Sequence, residues 1–169
     1  MFHKILVAID DSKSSQAIFE QALALANADQ SQLMLLHVLA PFDDVYPSDP
    51  YVGIPRSAMQ MYAKRWQERE QAGIDQLRVL EATAIAAGIT TEFTQSVGDP
   101  GKLICALAKT WNADLIVIGR RGLSGLSELF MGSVSNYVLH HASCHVLTLQ
   151  SNALPQTKLE PATTATSSN

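Results

Sequence analysis

The sequence predicts an α/β protein built as a single doubly wound, five-stranded parallel sheet with helices on both faces. Three observations carry this. Short β-branched apolar runs alternate with longer segments of helical periodicity. The chain has 169 residues, 47% of them hydrophobic, enough for one domain with a real core. A glycine-rich segment follows a buried strand and leads into a helix, where folds of this class bind phosphorylated ligands.

Taken in order, Ile5-Leu-Val-Ala-Ile9 is a short apolar run stopped by Asp10-Asp11-Ser12, as a buried parallel strand is. Ser12 is placed to cap a helix whose apolar residues Ile18, Ala22, Leu25 and Ala26 recur at helical spacing. Leu33–Val38 is a second buried strand. Segment 90–96 (TTEFTQS) is a more polar, alternating strand suited to a position near an edge. Asp99-Pro100 reads as an N-cap followed by proline at the first helical position, opening a helix to about Trp111. Asp114–Ile118 is the fourth strand and ends at Gly119, Ser133–His141 is a last short helix, and His145–Leu149 is a fifth strand. The alternation fits a 3-2-1-4-5 strand order without selecting it over others.

Three stretches exceed this minimal unit. Residues 39–56 carry four prolines and three acids and form a long loop for a compact domain. Residues 57–87 read as one helix, roughly 45 Å long at 1.5 Å per residue, with Met59, Tyr62, Trp66, Leu77 and Leu80 on a shared side and a bend expected at Gly73. Residues 151–169 are rich in Thr, Ser and Pro and read as a disordered tail, leaving 1–150 as the domain.

Composition excludes several functions. The net charge of −4 argues against a nucleic-acid binder. Cys105 and Cys144 are too few for a disulfide framework or a four-cysteine zinc site and read as reduced thiols. No run approaches a membrane span, and the N-terminal apolar run is too short for a signal peptide, so a cytoplasmic protein is expected. His140, His141 and His145 straddle a helix end and a strand, which suits solvated histidines better than metal ligands.

The informative segment runs from Gly119 through Gly122 to Gly132 and Ser133. Glycines let backbone N–H groups approach phosphate oxygens with no Cβ in the way, and the following helix N-terminus adds donors and a partial positive charge. Ser133 and Ser135 add hydroxyls there. No lysine lies between Gly119 and Ser135, so a Walker A loop is absent, and G-x-G-x-x-G occurs nowhere. Gly122-Leu-Ser124-Gly125 lacks the final glycine of a nucleophile elbow, where Leu126 stands.

The spacing Gly119-x2-Gly122-x9-Gly132-Ser133 resembles the ATP-binding signature of the universal stress protein family, G-x2-G-x9-G-(S/T). The resemblance extends over residues 1 to about 150 and includes KILVAIDDS, LLHV, VGDP, ADLIVIGRRG and GSVSNYVLHHASCHVL in the family's order. His145 departs from it, since relatives often have proline before the last strand. The resemblance implies strand order 3-2-1-4-5 and a homodimer through strand 145–149. It also implies an adenine-nucleotide site: the Ala8 backbone and Asp10 for adenine and ribose, Val38 beside adenine, and Gly119, Gly122, Gly132, Ser133, Val134 and Ser135 around ribose and phosphates. ATP, ADP or AMP would be the ligand. Mg²⁺ would be held mainly by phosphate oxygens and water, with Asp10 as the carboxylate. Arg120 and Arg121 sit where a triphosphate would lie.

Two functions fit: a stress-response module switched by nucleotide state, or a slow ATPase or autophosphorylating enzyme. Phosphoryl transfer needs charge neutralisation and an oriented nucleophile, and the only carboxylate between 119 and 135 is Glu128, so the catalytic inventory favours the first. Residues 39–72, with Phe42, Tyr46 and Tyr51 ahead of Met59, Tyr62 and Trp66, read either as a nucleotide-dependent lid or partner-docking element or as a solvated insertion.

Overall fold

The computed structural model describes residues 1–41, 56–120 and 131–150. The loop expected at 39–56 lies outside this set apart from its ends, as do Arg121, Gly122 and the tail from 151. The elements run β1 (Lys4–Ile9), α1 (Ser15–Asp29), β2 (Gln32–Leu39), α2 (Arg56–Ala86), β3 (Thr91–Val97), α3 (Pro100–Trp111), β4 (Leu115–Gly119), α4 (Ser133–His141) and β5 (His145–Leu149). The five strands form one all-parallel sheet in the order β3-β2-β1-β4-β5.

Alternation along the central strands sorts the core into two layers. Ile5, Val7 and Ile9 of β1 join Leu33 and Leu35 of β2 beneath Ile18, Phe19 and Ala22 of α1 and Leu77, Leu80 and Ala84 of α2. Leu6, Met34, Leu36, Ile116 and Ile118 face the other way, against Ile104 and Ala108 of α3 and Val138 of α4. Both faces of β1 and β4 are therefore covered, which is why their sequences run as unbroken apolar stretches. β3, at one edge, is half-buried along most of its length and can carry Glu92, Thr94 and Gln95.

Two local details differ from the sequence reading. Helix α1 begins at Ser15, and its N-cap Ser14 makes no side-chain capping bond. Ser12 instead donates its hydroxyl to the Asp10 carboxylate. In α2, Leu77 and Leu80 are buried, each contributing about 1.5–3 kcal/mol of apolar burial. Met59, about five turns before Leu77, is 59% exposed, while Tyr62 and Trp66 are half-buried. Residues 56–72 contain no buried position, so α2 is anchored to the sheet by its C-terminal half.

Asp99 caps α3 as expected, its carboxylate accepting the N–H of Lys102 at 3.0 Å. At the N-terminal ends of the strands, Asp114 joins the start of β1 to the start of β4. Its Oδ2 accepts the backbone N–H groups of His3 and Lys4 at 2.8 and 2.9 Å. These bonds, His3 first, hold its carboxyl below the ordinary value of 3.8. A carboxyl lowered in the folded state contributes stability that is fully present above its unfolded value and lost as pH falls through the folded value. Asp114→Asn should therefore cost about 1 kcal/mol at neutral pH, a modest figure because the group is partly solvated. Urea denaturation at stepped pH should show the gap to wild type closing below about pH 4.

Candidate functional site

β1 and β4 are neighbours, and the chain leaves them toward opposite sheet faces, so their C-terminal ends part. The β1–β4 ladder stops at Val7↔Val117, whereas β1 continues against β2 as far as Ile9↔His37 and β4 against β5 as far as Gly119↔Leu149. The split opens a cavity of about 290 Å³. Its walls are the ends of β1, β2 and β4, the first turns of α3 and α4, and Arg69 of α2.

Of the residues expected at a site, Ala8, Asp10, Val38, Gly119, Gly132, Ser133, Val134 and Ser135 all line this cavity. Arg120 does not; its backbone does structural work. Its N–H donates to Leu149 O at 2.7 Å, and its carbonyl accepts from Gly132 N at 2.8 Å and Ser135 Oγ at 2.9 Å. The segment between Arg120 and Gly132 is thus closed at its base. Arg121 and Gly122 lie outside the described residues.

That closure aims α4. Gly132 is its N-cap, and among the described residues no side chain caps the helix. The first intrahelical bond runs from Asn136 N to Gly132 O, so the N–H groups of Ser133, Val134 and Ser135 precede it and point from the positive end of the helix dipole toward the cavity. The Ser135 hydroxyl, buried, is spent on Arg120 and Gly132 carbonyls. Ser133, exposed, is the hydroxyl that lines the opening. An anionic group seated here meets three backbone donors, the arrangement that suits phosphate.

The acidic pair at the end of β1 divides its labour. Asp10 Oδ1 accepts Ser12 N at 3.1 Å and the hydroxyls of Ser12 and Ser15 at 2.5 Å each, which fixes the turn into α1. Among the described residues no bond occupies its Oδ2, so one oxygen of a rigid carboxylate is available at the cavity wall for a hydroxyl or a hydrated cation. Asp11 turns the other way. Its Oδ1 lies 3.1 Å from His37 Nε2 and its Oδ2 3.7 Å from Arg69 Nη2.

Sequence reasoning missed Asp11, His37 and Arg69. The signal for His37 was present, as the one polar residue inside the apolar run of β2. Its ring is 1% exposed, with Nδ1 3.0 Å from Gln95 Oε1. Both nitrogens of this cavity-lining histidine are engaged, so it has no free atom with which to act as a general base. Among the described residues no group of His, Cys, Asp and Glu could hold a metal ion by itself. His141 is instead stacked on Tyr137. The thiols of Cys105 and Cys144 are pushed up by burial, the direction of unreactive cysteines.

A family model described as the universal stress protein family matches residues 1–150. Universal stress protein Sll1388 of Synechocystis is 39% identical over 153 residues, covering 88% of this chain and 98% of the relative. An Arabidopsis thaliana protein of that family, solved with AMP bound, superposes with a TM-score of 0.62 at 22% identity, covering 89% of this chain and 93% of its own. A universal stress protein solved in complex with cAMP gives a TM-score of 0.58 at 24% identity, covering 89% and 98%.

The cavity floor depends on a close approach of α2 to the sheet. A Cβ added at Gly73 would lie 2.5 Å from His37 Nδ1 and closer still to Gln95 Oε1. In an exposed helix, Gly→Ala gains up to about 1 kcal/mol, while overpacking costs about 1–3 kcal/mol. Because both facing side chains are held by hydrogen bonds, the clash should win. Gly73→Ala is expected to lower the urea midpoint by the equivalent of about 1–2 kcal/mol, and a raised midpoint would mean that α2 can lift off freely.

Proposed function

Because the chain belongs to the universal stress protein family, we propose that it binds an adenine nucleotide (ATP, ADP or AMP) in the β1–β4 crevice. In this reading it acts as a cytoplasmic stress-response module whose partners depend on nucleotide state. The observation that carries this reading is the uncapped start of α4, facing the same cavity as Asp10. Phosphates sit against the N–H groups of Ser133, Val134 and Ser135, with Gly132 leaving room for them. The free oxygen of Asp10 takes a ribose hydroxyl, and Val38 with the Ala8 backbone flanks the base. That two structural neighbours were solved with AMP or cAMP supports an adenine ligand.

Mg²⁺ fits this donor set only together with the nucleotide. The phosphates and water would supply most of its ligands and Asp10 at most one, since a cation held so is six-coordinate. Among the described residues, the cavity offers no lysine, its histidine is fully engaged, and both carboxylates are partly or wholly committed. Slow hydrolysis or self-phosphorylation would be incidental; a binding module is the better account. In this proposal Arg121 joins the phosphate contacts, whereas Arg120, which does not line the cavity, contributes through its backbone.

The same reading makes the protein a homodimer through β5. That strand is at the sheet edge, and its backbone alternates. His145 N bonds Asp114 O and Leu149 O bonds Arg120 N, so 145, 147 and 149 face β4, and 146 and 148 face outward. An unpaired apolar edge invites a second copy. Val146 packs into one core layer and Leu147 and Leu149 into the other, so backbone rather than side chains offers the clean test. Thr148→Pro removes an outward N–H without breaking the β4 ladder. It should give a folded monomer by sedimentation, whereas a monomeric wild type would end the dimer proposal.

For nucleotide binding, Mg-ATP, ADP and AMP should each be tested on protein stripped of small molecules. A ligand at 100 times its Kd adds about 2.7 kcal/mol, several degrees of melting temperature for a domain of this size. Gly132→Val, which places a branched side chain where phosphate would lie, should abolish the rise while circular dichroism stays unchanged. No rise with any of the three nucleotides would overturn the reading.

A further inference from the structure

Below the crevice, on the α1/α2 face of the sheet, a chain of polar groups crosses four elements. Arg69 of α2 meets Asp11 in the turn after β1; Asp11 meets the buried ring of His37 on β2; the ring meets Gln95 on β3. Gln95 then returns to α2, its Nε2 donating to the carbonyl of Glu70 at 3.1 Å. Gly73 lies directly over the ring, so no side chain separates the helix from it.

The chemistry of this chain fixes the orientation of each group. The Glu70 carbonyl can only accept, so the Gln95 amide must direct its NH₂ there and its oxygen toward His37. Turning the amide over would set two oxygens against each other at Glu70. The Asp11 carboxylate can also only accept. Both nitrogens of His37 therefore face acceptors, and only a ring with a proton on each satisfies both. A ring with one proton leaves a lone pair facing an oxygen, which removes one of the two ties.

We propose that His37 is a positioning residue for the crevice that works as a proton-dependent latch. With two protons it ties the β1–α1 turn to β3 and, through Gln95, to α2; with one proton it gives up one tie. The tie to Asp11, which adjoins Asp10, is kept in either state and steadies the carboxylate that lines the crevice. What depends on the second proton is the join through Gln95 to α2. Seating of α2 sets the place of Arg69 at the cavity wall. The charged groups facing the ring across these elements are Asp11 and, beyond it, Arg69; β3 contributes the neutral Gln95. The Asp11 carboxylate is a stronger acceptor than the neutral amide oxygen of Gln95 and keeps the remaining proton on Nε2, so the tie given up is the one to Gln95. A ligand that favours the closed crevice then binds more weakly as pH rises through the titration of His37.

The latch is tested first on ligand-free protein, by following the ring nitrogens of His37 in ¹⁵N spectra from about pH 5 to about pH 9. Below the midpoint both nitrogens should report N–H, and above it the Gln95 side-chain amide and the Gly73 backbone amide should have shifted with the same midpoint. Gln95→Leu should uncouple the Gly73 amide from the ring titration, a result that a purely structural contact would not produce. A single neutral tautomer over the whole range, or Gln95 and Gly73 signals indifferent to the titration, would overturn the proposal.

The coupling to binding rests on the nucleotide reading and is read separately, by calorimetry with Mg-ATP. Affinity should fall roughly fivefold across the His37 midpoint, the weight of one net hydrogen bond. Gln95→Leu removes the acceptor outside the crevice and should flatten that dependence, while the ligand's own titration is common to both proteins. A fall of equal size in Gln95→Leu, or none in wild type, would overturn the coupling. Absence of binding at every pH, with the ring titration as expected, would overturn the nucleotide reading and leave the latch standing.

Discussion

Burying β1 on both faces constrains everything around it. A strand with Ile5, Val7 and Ile9 on one side and Leu6 on the other must have helices over both sides, and parallel neighbours reached by right-handed crossovers can supply them only if the chain turns one way from β1 to β2 and the other way to β4. At that reversal the connections leave toward opposite faces, and among the described residues nothing fills the space between them. The ladder between β1 and β4 accordingly ends at Val7 and Val117, short of both strand ends. The crevice is a consequence of how the core is covered, and its floor is as rigid as the core.

Rigid elements then deliver each polar group. The Arg120 carbonyl, pinned by Gly132 N and Ser135 Oγ, orients the start of α4. The serines of the β1–α1 turn hold Asp10 from one side. Asp11, facing the opposite layer, links the same turn to His37 and Arg69. The site thus draws on both layers of the protein, and α2, attached to the sheet by Gly73, Leu77, Leu80 and Ala84, is the element through which the second layer reaches it.

Most of the fold was legible because periodicity and punctuation agree. Apolar runs closed by Asp or Gly marked the strands, and Asp99-Pro100 marked the start of α3. Much of the cavity wall was legible too, since the glycine spacing and the resemblance it carries pointed to Asp10, Gly119 and the 132–135 turn. The buried polar chain was not. His37, Asp11 and Gln95 are far apart in sequence, and their meeting depends on strand register and on the missing Cβ of Gly73, neither of which a local pattern encodes. Gly73 read as a helix weakness when its reason is close approach. The apolar side that begins at Met59 is buried only from Gly73 onward, and Met59 itself is exposed.

Binding of an adenine nucleotide in the crevice at the split of β1 and β4 is the central claim. Backbone amide spectra recorded during titration of ¹⁵N-labelled protein with AMP locate the ligand directly. The largest shifts should fall on Ser133, Val134 and Ser135, with Asp10 and Val38 following, and little change at Met1, Phe2 and Asp114 at the opposite, N-terminal ends of the strands. Shifts centred elsewhere, or none at millimolar AMP, would contradict it.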